Sequence, residues 1–333
     1  MMPDTPAVPL LGLVFAVLMG VSILAYVILD GYDLGVGMLL PAAEPLEQNL
    51  MVNSIGPFWD ANETWLVLGV GILLIAFPAA HGVILQALYL PVAAMLVGLM
   101  LRGVAFEFRM KAEGWHRELW NWLFWFGSFL ASFSQGVMLG RYITGFEPGI
   151  GYWIFSFMVG AAICGGYVLM GATWLIARTE DELQKKSFAW ARWGLLWVGF
   201  GVALVSIATP LVSATVREKW FGMPQMPFLM LLPAASFGFG LYLLHLTGKS
   251  LSRSREWLPF FCAVAIFALA FAGLAYSIFP WLVIDRIGLW QTAHESALTI
   301  TLWGTGIVLP FIIAYNVLAY RIFAGKARES LYD

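Results

Sequence analysis

The composition of this 333-residue chain excludes most classes of soluble protein. Hydrophobic residues make up 61% of the sequence, charged residues make up 11%, and the mean hydropathy is +0.82. A soluble chain of this length needs a larger charged surface, so the composition indicates a membrane protein. The net charge is −2, which gives no electrostatic reason for binding nucleic acid.

Apolar runs long enough to cross a bilayer recur along the chain. A hydrocarbon core about 30 Å thick requires roughly 20 apolar residues per helix, because each backbone polar group must bond within its own segment. The nine runs lie near residues 9–30, 57–77, 81–103, 118–140, 152–177, 189–209, 226–246, 258–280 and 297–320. Because the loops between them are short, we predict an all-α polytopic membrane protein with one transmembrane domain over residues 1–333.

Basic residues predict the orientation of these spans, since cytoplasmic loops hold the excess of Lys and Arg. Nine spans put the two termini on opposite sides of the membrane. The side of the C-terminus carries 13 basic residues, namely Arg102, Arg109, Lys111, Arg117, Arg178, Lys185, Lys186, Lys249, Arg253, Arg255, Arg321, Lys326 and Arg328. The other side carries four, namely Arg141, Arg217, Lys219 and Arg286. Arg192 is left aside, because it lies too close to the start of a span to be assigned to a side. We therefore expect the N-terminus outside and the C-terminus in the cytoplasm.

This topology brings three polar segments to the cytoplasmic level. The first helix is predicted to end there, in Asp30-Gly31-Tyr32-Asp33-Leu34-Gly35. The second begins there with Gly56-Pro57-Phe58-Trp59-Asp60-Ala61-Asn62-Glu63-Thr64-Trp65. The third ends there with Leu101-Arg102-Gly103-Val104-Ala105-Phe106-Glu107-Phe108-Arg109. Acidic side chains and arginines therefore converge on one zone, namely Asp30, Asp33, Asp60, Glu63 and Glu107 with Arg102 and Arg109.

This group of ionisable residues favours a proton path. Charged side chains near hydrocarbon are costly and usually face a bundle interior, a partner or an aqueous route. Asp60 and Glu63 are expected to lie deepest, and because they are three residues apart on a helix they share a face. Arg102 can hold one carboxylate charged and leave another neutral. Asp33, predicted at the edge of a loop, is the weakest member.

The same residues are also compatible with a docking role or with a transporter. Asp60 and Glu63 follow Pro57 in the first turns of a helix, where a carboxylate stabilises the positive helix end, and Arg102 can extend towards the headgroups. These residues would then have only a local structural role. In a further alternative, the charges serve only to dock a partner. A proton-coupled secondary transporter would also use intramembrane carboxylates, but its site belongs at the bilayer midplane between paired broken helices. Here the carboxylates lie at the inner ends of three helices.

The sequence offers few ligands for haem or metal. The four histidines, His81, His116, His245 and His294, are all expected near span ends or in loops. The two cysteines, Cys164 and Cys262, lie far apart within apolar runs, without the spacing of a metal site or redox pair. We therefore predict that this chain binds neither haem nor metal through its own ligands.

The three polar segments resemble the signature segments of subunit II of cytochrome bd quinol oxidase. The likeness is strong over about the first third of the chain, and the remainder agrees mainly in the number and length of helices. Tyr32 stands where the family pattern has Phe, Ala61 where it has Gly, and Thr64 where it has Val. None of these departures removes an ionisable group.

The resemblance implies a fold and a partner. It implies nine helices arranged as two four-helix bundles with one peripheral helix, in the inner membrane of a bacterium. It also implies a heterodimer with a similarly built subunit I, which carries haem b, haem d and the quinol-oxidising loop. That complex oxidises quinol and reduces oxygen to water with protons taken from the cytoplasm. The short loops resemble the cyanide-insensitive branch, and the family suggests a structurally bound quinone and a small single-helix accessory subunit.

The resemblance also implies roles for individual residues. Subunit II would stabilise the complex and line part of the proton route. Asp60 matches the family's proton-path carboxylate near the subunit interface. By position, its companions are Asp30, Glu63, Glu107 and Arg102, with supporting polar or aromatic contributions from Trp59, Asp33 and Asn62.

Overall fold

The computed structural model of the chain describes residues 9–223, 226–248 and 251–327. Its helices, in chain order, are α1 (Leu10–Leu39), α2 (Pro45–Ile55), α3 (Trp59–Ala76), α4 (Pro78–Arg109), α5 (Trp115–Ile143), α6 (Ile150–Arg178), α7 (Asp181–Val212), α8 (Ala214–Phe221), α9 (Met226–Leu229), α10 (Leu231–Thr247), α11 (Leu258–Ile278) and α12 (Glu295–Ile322). An antiparallel hairpin of β1 (Trp281–Val283) and β2 (Ile287–Gly288) connects α11 to α12. Single 3-10 turns lie at Leu40–Ala42 and Arg253–Arg255.

The predicted spanning helices are confirmed. Within the residues that the structure describes, nine helical segments are long and apolar enough to cross a membrane. They are α1, α3, α4, α5, α6, α7, the α9–α10 pair, α11 and α12. Helix α1 lies among α3, α5 and α6, and α4, α5, α6 and α7 pack in sequence. The fold is therefore all-α and polytopic, while the two-bundle arrangement and the single-domain boundary stay predictions.

The first helix is longer than the sequence predicts. Helix α1 continues through the Asp30–Gly35 motif and ends only at Leu39, so the expected end at Asp30 is wrong. Asp33 was expected at the edge of a loop, but it lies inside this helix and is fully buried. The reason is tertiary, because the polar side chains of the motif find partners on α3 and α4 and no longer need water.

Helix α2 is an element that the sequence analysis did not predict. It begins with a capping box, in which the Glu47 side chain accepts a hydrogen bond from the Glu44 backbone at 2.8 Å and Pro45 occupies the first turn. At 11 residues it is too short to cross a bilayer. It instead joins α1 to α3 at the end of the molecule that carries the polar segments.

Glycines allow two helix pairs to approach so closely that their backbones touch. A Cβ atom at Gly35 would lie 1.8 Å from the Tyr167 carbonyl oxygen, which places α1 directly against α6. A Cβ atom at Gly127 on α5 would lie 2.6 Å from the Gly98 carbonyl oxygen and 2.7 Å from the Arg102 backbone nitrogen on α4. Small residues permit such contacts between membrane helices. These contacts fix the positions of the α1 motif and of Arg102.

A Gly35→Ala substitution tests this packing. The added methyl group has no space against α6, so we expect a loss of about 1–3 kcal/mol in the stability of the purified complex. Gly71→Ala is the matched control, because that helical glycine faces open space within 4 Å. It is expected to be neutral or to stabilise by about 0.5–1 kcal/mol. Thermal unfolding measures both, and equal midpoints for the two variants would contradict the close contact of α1 and α6.

Candidate functional site

Arg102 on α4 is fully buried and forms ion pairs with three carboxylates from two other helices. Its Nη1 donates to Asp30 Oδ1 at 2.6 Å and to Glu63 Oε1 at 3.1 Å. Its Nη2 lies 3.8 Å from Asp33 Oδ2. The side chains of Asp30 and Asp33 are fully buried, whereas that of Glu63 is 27% exposed. We call these four residues the carboxylate cluster. Its ion pairs connect α4 to α1 and α3.

The carboxylate cluster contains more acidic side chains than basic ones. One guanidinium group faces three carboxyl groups. In the described part of the chain, Asp30 Oδ2, Asp33 Oδ1 and both Nε and Nη2 of Arg102 have no hydrogen-bond partner. Like charges at this spacing disfavour each other, and buried polar atoms seek partners. The arrangement can therefore hold protons and bind water, which are the properties that a proton route requires.

Asn62 links the carboxylate cluster to the last helix. Its Nδ2 donates to Asp33 Oδ2 at 2.7 Å and to the Tyr32 hydroxyl at 2.9 Å. The Tyr320 hydroxyl on α12 donates to Asn62 Oδ1 at 3.3 Å and lies 2.6 Å from the Tyr32 hydroxyl. Tyr320 is not among the predicted site residues, because a tyrosine near the end of a span is typical of the headgroup layer.

The aromatic ring of Trp59 lies beside the guanidinium group of Arg102. The Arg102 Cζ lies 5.9 Å from the centroid of the Trp59 ring, within the range of a cation–π interaction. The same ring packs against Phe106 of α4, with centroids 4.9 Å apart. Trp59 therefore lies next to the carboxylate cluster, as its position in the second polar segment suggested.

A second polar set extends from Asp30 towards the opposite end of the helices. Gln135 on α5 donates through Nε2 to the Tyr26 hydroxyl at 2.8 Å, and the Tyr167 hydroxyl donates to Gln135 Oε1 at 2.6 Å. Both tyrosines interact electrostatically with Asp30. Sequence reasoning missed these residues because each is a lone polar group in an apolar helix. Only the packing of α1, α5 and α6 brings them together.

Asp60 and Glu107 lie on the surface of the chain, outside the carboxylate cluster. Both side chains are exposed, and in the described part of the chain neither forms a side-chain hydrogen bond or an ion pair. The expectation that Asp60 and Glu63 lie deepest is wrong, because Asp30 and Asp33 are more buried. Helical geometry explains this, since α3 turns Asn62 inwards and a residue two positions away points to nearly the opposite face.

Asp60 still lies beside the carboxylate cluster. It occupies the first turn of α3, where the helix dipole favours a negative charge, and it interacts electrostatically with Glu63. Glu107 is five residues from Arg102 and consequently on a different face of α4. Arg109, the other arginine of the third segment, contacts Asn49 and Asn121 rather than a carboxylate.

The whole spanning region matches one protein family. The family described as cytochrome bd terminal oxidase subunit II matches residues 11–323 of the chain. The chain belongs to this family. The resemblance seen in the three polar segments is thereby confirmed, and this subunit II is a multi-pass membrane protein of a terminal oxidase complex, which implies a partner subunit I. Membership of an oxidase family leaves the transporter alternative without support.

Curated relatives match over nearly their whole length. "Cytochrome bd-I ubiquinol oxidase subunit 2" of Escherichia coli (strain K12) is 26% identical over 364 residues, covering 94% of each chain. "Cytochrome bd ubiquinol oxidase subunit 2" of Bacillus subtilis (strain 168) is 27% identical over 333 residues, covering 92% of this chain and 94% of the relative.

A solved structure shares the fold. A chain of the bd oxidase from Geobacillus thermodenitrificans superposes with a TM-score of 0.77 at 17% identity, covering 95% of this chain and 99% of that one. This agreement supports the helical architecture of the subunit.

An Arg102→Gln substitution tests the charge balance of the carboxylate cluster in this subunit II. Removing one partner of a buried ion pair costs about 3–5 kcal/mol, so we expect a clear loss of stability of the complex in thermal unfolding. Adding Asp30→Asn should recover part of the loss, because it removes a carboxylate that has lost its cation. Arg321→Gln changes an exposed arginine of α12 and serves as the control. Wild-type stability of Arg102→Gln would contradict a structural charge balance at this point.

Proposed function

We propose that this subunit carries no haem, stabilises a haem-bearing subunit I, and contributes a cytoplasmic proton-uptake path for the reduction of oxygen to water. The observation that carries the proposal is the graded burial of three acidic side chains. Asp60 is exposed, Glu63 is 27% exposed, and Asp30 is fully buried against Arg102. Carboxylates at successive depths can pass protons through water from a surface to an interior.

Each residue of the path has a distinct role in this proposal. Asp60 receives protons near the subunit interface, and Glu63 exchanges them with Asp30. Arg102 offsets the negative charge of the carboxyl groups, so that a proton can arrive and leave without an uncompensated buried charge. Supporting residues hold this geometry, namely Trp59 beside the cation and Asn62 hydrogen-bonded to Asp33. Glu107 lies at the same end of the helices and serves the approach of protons from the cytoplasm.

The positions of the histidines support the absence of haem on this chain. His81 lies in the first turn of α4, His116 in the first turn of α5, and His245 in the last turn of α10. His294 caps α12 and accepts a hydrogen bond from the Ser296 backbone. Haem iron is held by axial ligands such as His or Met, and none of these four histidines lies in the interior of a spanning helix. We assign haem b, haem d and quinol oxidation to subunit I.

The distribution of charge supports an orientation in the bacterial inner membrane. The basic residues gather at the end of the molecule where α1, α4, α6, α10 and α12 finish. Two of those counted there, Lys249 and Arg328, lie outside the described residues. We assign this end to the cytoplasm and the N-terminus to the outside, because positively charged loops remain on the cytoplasmic side. The carboxylate cluster then faces the compartment from which the protons are taken.

Neutralising the acidic residues tests the proton path. Asp60→Asn and Glu63→Gln are each expected to slow quinol-driven oxygen uptake roughly tenfold, equivalent to about 1.4 kcal/mol of barrier, with the haem spectrum of the purified complex unchanged. Glu182→Gln is the control, because this exposed carboxylate pairs only with Lys185 in the described structure. Normal oxygen uptake in both variants would contradict the proton path and leave the carboxylates with a docking role. Loss of haem from the complex would instead show that these residues only stabilise subunit I.

Reporter fusions test the orientation. Alkaline phosphatase, which is active only outside the cytoplasm, is expected to be inactive when fused after Ala327. Inserted at exposed Asp285, in the hairpin between α11 and α12, it is expected to be active. The reverse pattern would invert the topology and remove the cytoplasmic source of protons from the proposal.

Further features implied by the family stay predictions. These are a structurally bound quinone, a small single-helix accessory subunit and membership of the cyanide-insensitive branch. The structure describes no contact that identifies a place for the quinone or for the accessory helix.

A further inference from the structure

Two arginines at the turn between α4 and α5 converge on one side-chain oxygen. Arg109 Nη2 donates to Asn49 Oδ1 at 2.9 Å, and Arg117 Nη2 donates to the same oxygen at 2.5 Å. Arg109 Nε also donates to Asn121 Oδ1, and Asn121 Nδ2 in turn donates to Gln48 Oε1 at 2.8 Å. The two guanidinium groups are thus surrounded by neutral amides.

This pair of cations has no acidic partner in the described part of the chain. Neither Arg109 nor Arg117 forms an ion pair there, and Arg117 is the charged neighbour that acts on Arg109. The nearby Glu47 is engaged by Lys186 at 2.8 Å. Arg109 is nevertheless only 2% exposed. A buried charge without a counter-ion is strongly unfavourable.

The protein itself offsets little of this charge. Arg109 ends α4, where the helix dipole supplies only about half of an elementary negative charge. Lys111 and His116 lie in the same turn and add no negative charge, while Glu113 and Glu118 do not pair with either arginine in the described structure. Within the described residues, no acidic side chain therefore neutralises the two arginines.

We propose that Arg109 and Arg117 bind a phosphate group, supplied either by an anionic phospholipid headgroup or by free phosphate. Guanidinium groups match the oxygens of phosphate in paired hydrogen bonds, and two of them that already share an acceptor are preorganised for it. This inference concerns a different site from the carboxylate cluster and does not depend on the proton path.

The surroundings favour a lipid as the source. An open groove of about 390 Å³ at the same turn is lined by Phe108, Lys111, Ala112, Glu113, His116 and Trp120, and neither Arg109 nor Arg117 is part of its lining. The rings of Phe108 and Trp120 stack with centroids 5.1 Å apart. Trp115, Leu119 and Trp122 of α5 are exposed beside them. Aromatic rings next to basic side chains are typical of the layer between the hydrocarbon and the headgroups.

Nanodisc reconstitution of the intact oxidase complex tests the site. Thermal unfolding is measured in phosphatidylcholine alone, in phosphatidylcholine with phosphatidylglycerol, and in phosphatidylcholine with added inorganic phosphate. The wild-type midpoint is expected to rise by roughly 2–4 °C with phosphatidylglycerol. Arg117→Gln should lose most of this rise. Arg321→Gln, which removes an exposed charge at the same end of the molecule but outside this turn, should keep it.

A second variant separates the anion site from general surface charge. Asn49→Asp places a carboxylate at the shared acceptor with almost no change in shape. This variant is expected to raise the midpoint in phosphatidylcholine alone. It is also expected to abolish the response to phosphatidylglycerol, because the protein's own carboxylate then neutralises the two arginines.

The outcomes assign the source or overturn the site. A response to inorganic phosphate that equals the response to phosphatidylglycerol identifies free phosphate, whereas a response to the lipid alone identifies the headgroup. The proposal is overturned if wild-type and Arg117→Gln complexes respond equally, or if neither probe stabilises the wild type. It is also overturned if Arg117→Gln separates the subunits without any lipid response, since a carboxylate of the partner would then be the anion.

Discussion

A single buried guanidinium group holds three helices of this subunit together. Arg102 of α4 bonds Asp30 of α1 and Glu63 of α3, and a third carboxylate lies within ion-pair distance. Such a group is tolerated away from water only if its partners are in place, so the ion pairs and the helix packing require each other. The close glycine contacts provide this packing, since Gly127 lies directly against the backbone of Arg102.

The helix α4 presents two arginines to very different surroundings. Arg102 and Arg109 are seven residues apart, so they lie on nearly the same face of the helix, two turns from each other. The first has an excess of acid around it, and the second has only neutral amides within hydrogen-bond distance. In the roles proposed above, the same residue type serves proton exchange at one level and anion binding at the next. The difference arises from the neighbouring helices rather than from α4.

The sequence predicted the spans well because length and hydropathy are local properties. It failed where a polar residue has a distant partner. The end of α1 was placed at Asp30 because polar residues usually mark the water, and the structure continues since α3 and α4 satisfy them. Whether Asp60 or Asn62 is buried depends on the rotation of α3 about its axis. Hydropathy does not determine this rotation when polar residues lie on both faces of the turn. Gln135 and Tyr320 are recognisable only from the fold, because their partners are distant in sequence.

The hydrogen bond of Tyr320 has a consequence for biosynthesis. Its partner Asn62 lies 258 positions earlier in the chain, so the bond cannot form until α12 has entered the membrane. Every earlier helix can be inserted and paired while this polar group still lacks its final neighbour. The hydrogen bonds around Asn62 can therefore be completed only after the last spanning helix has been translated.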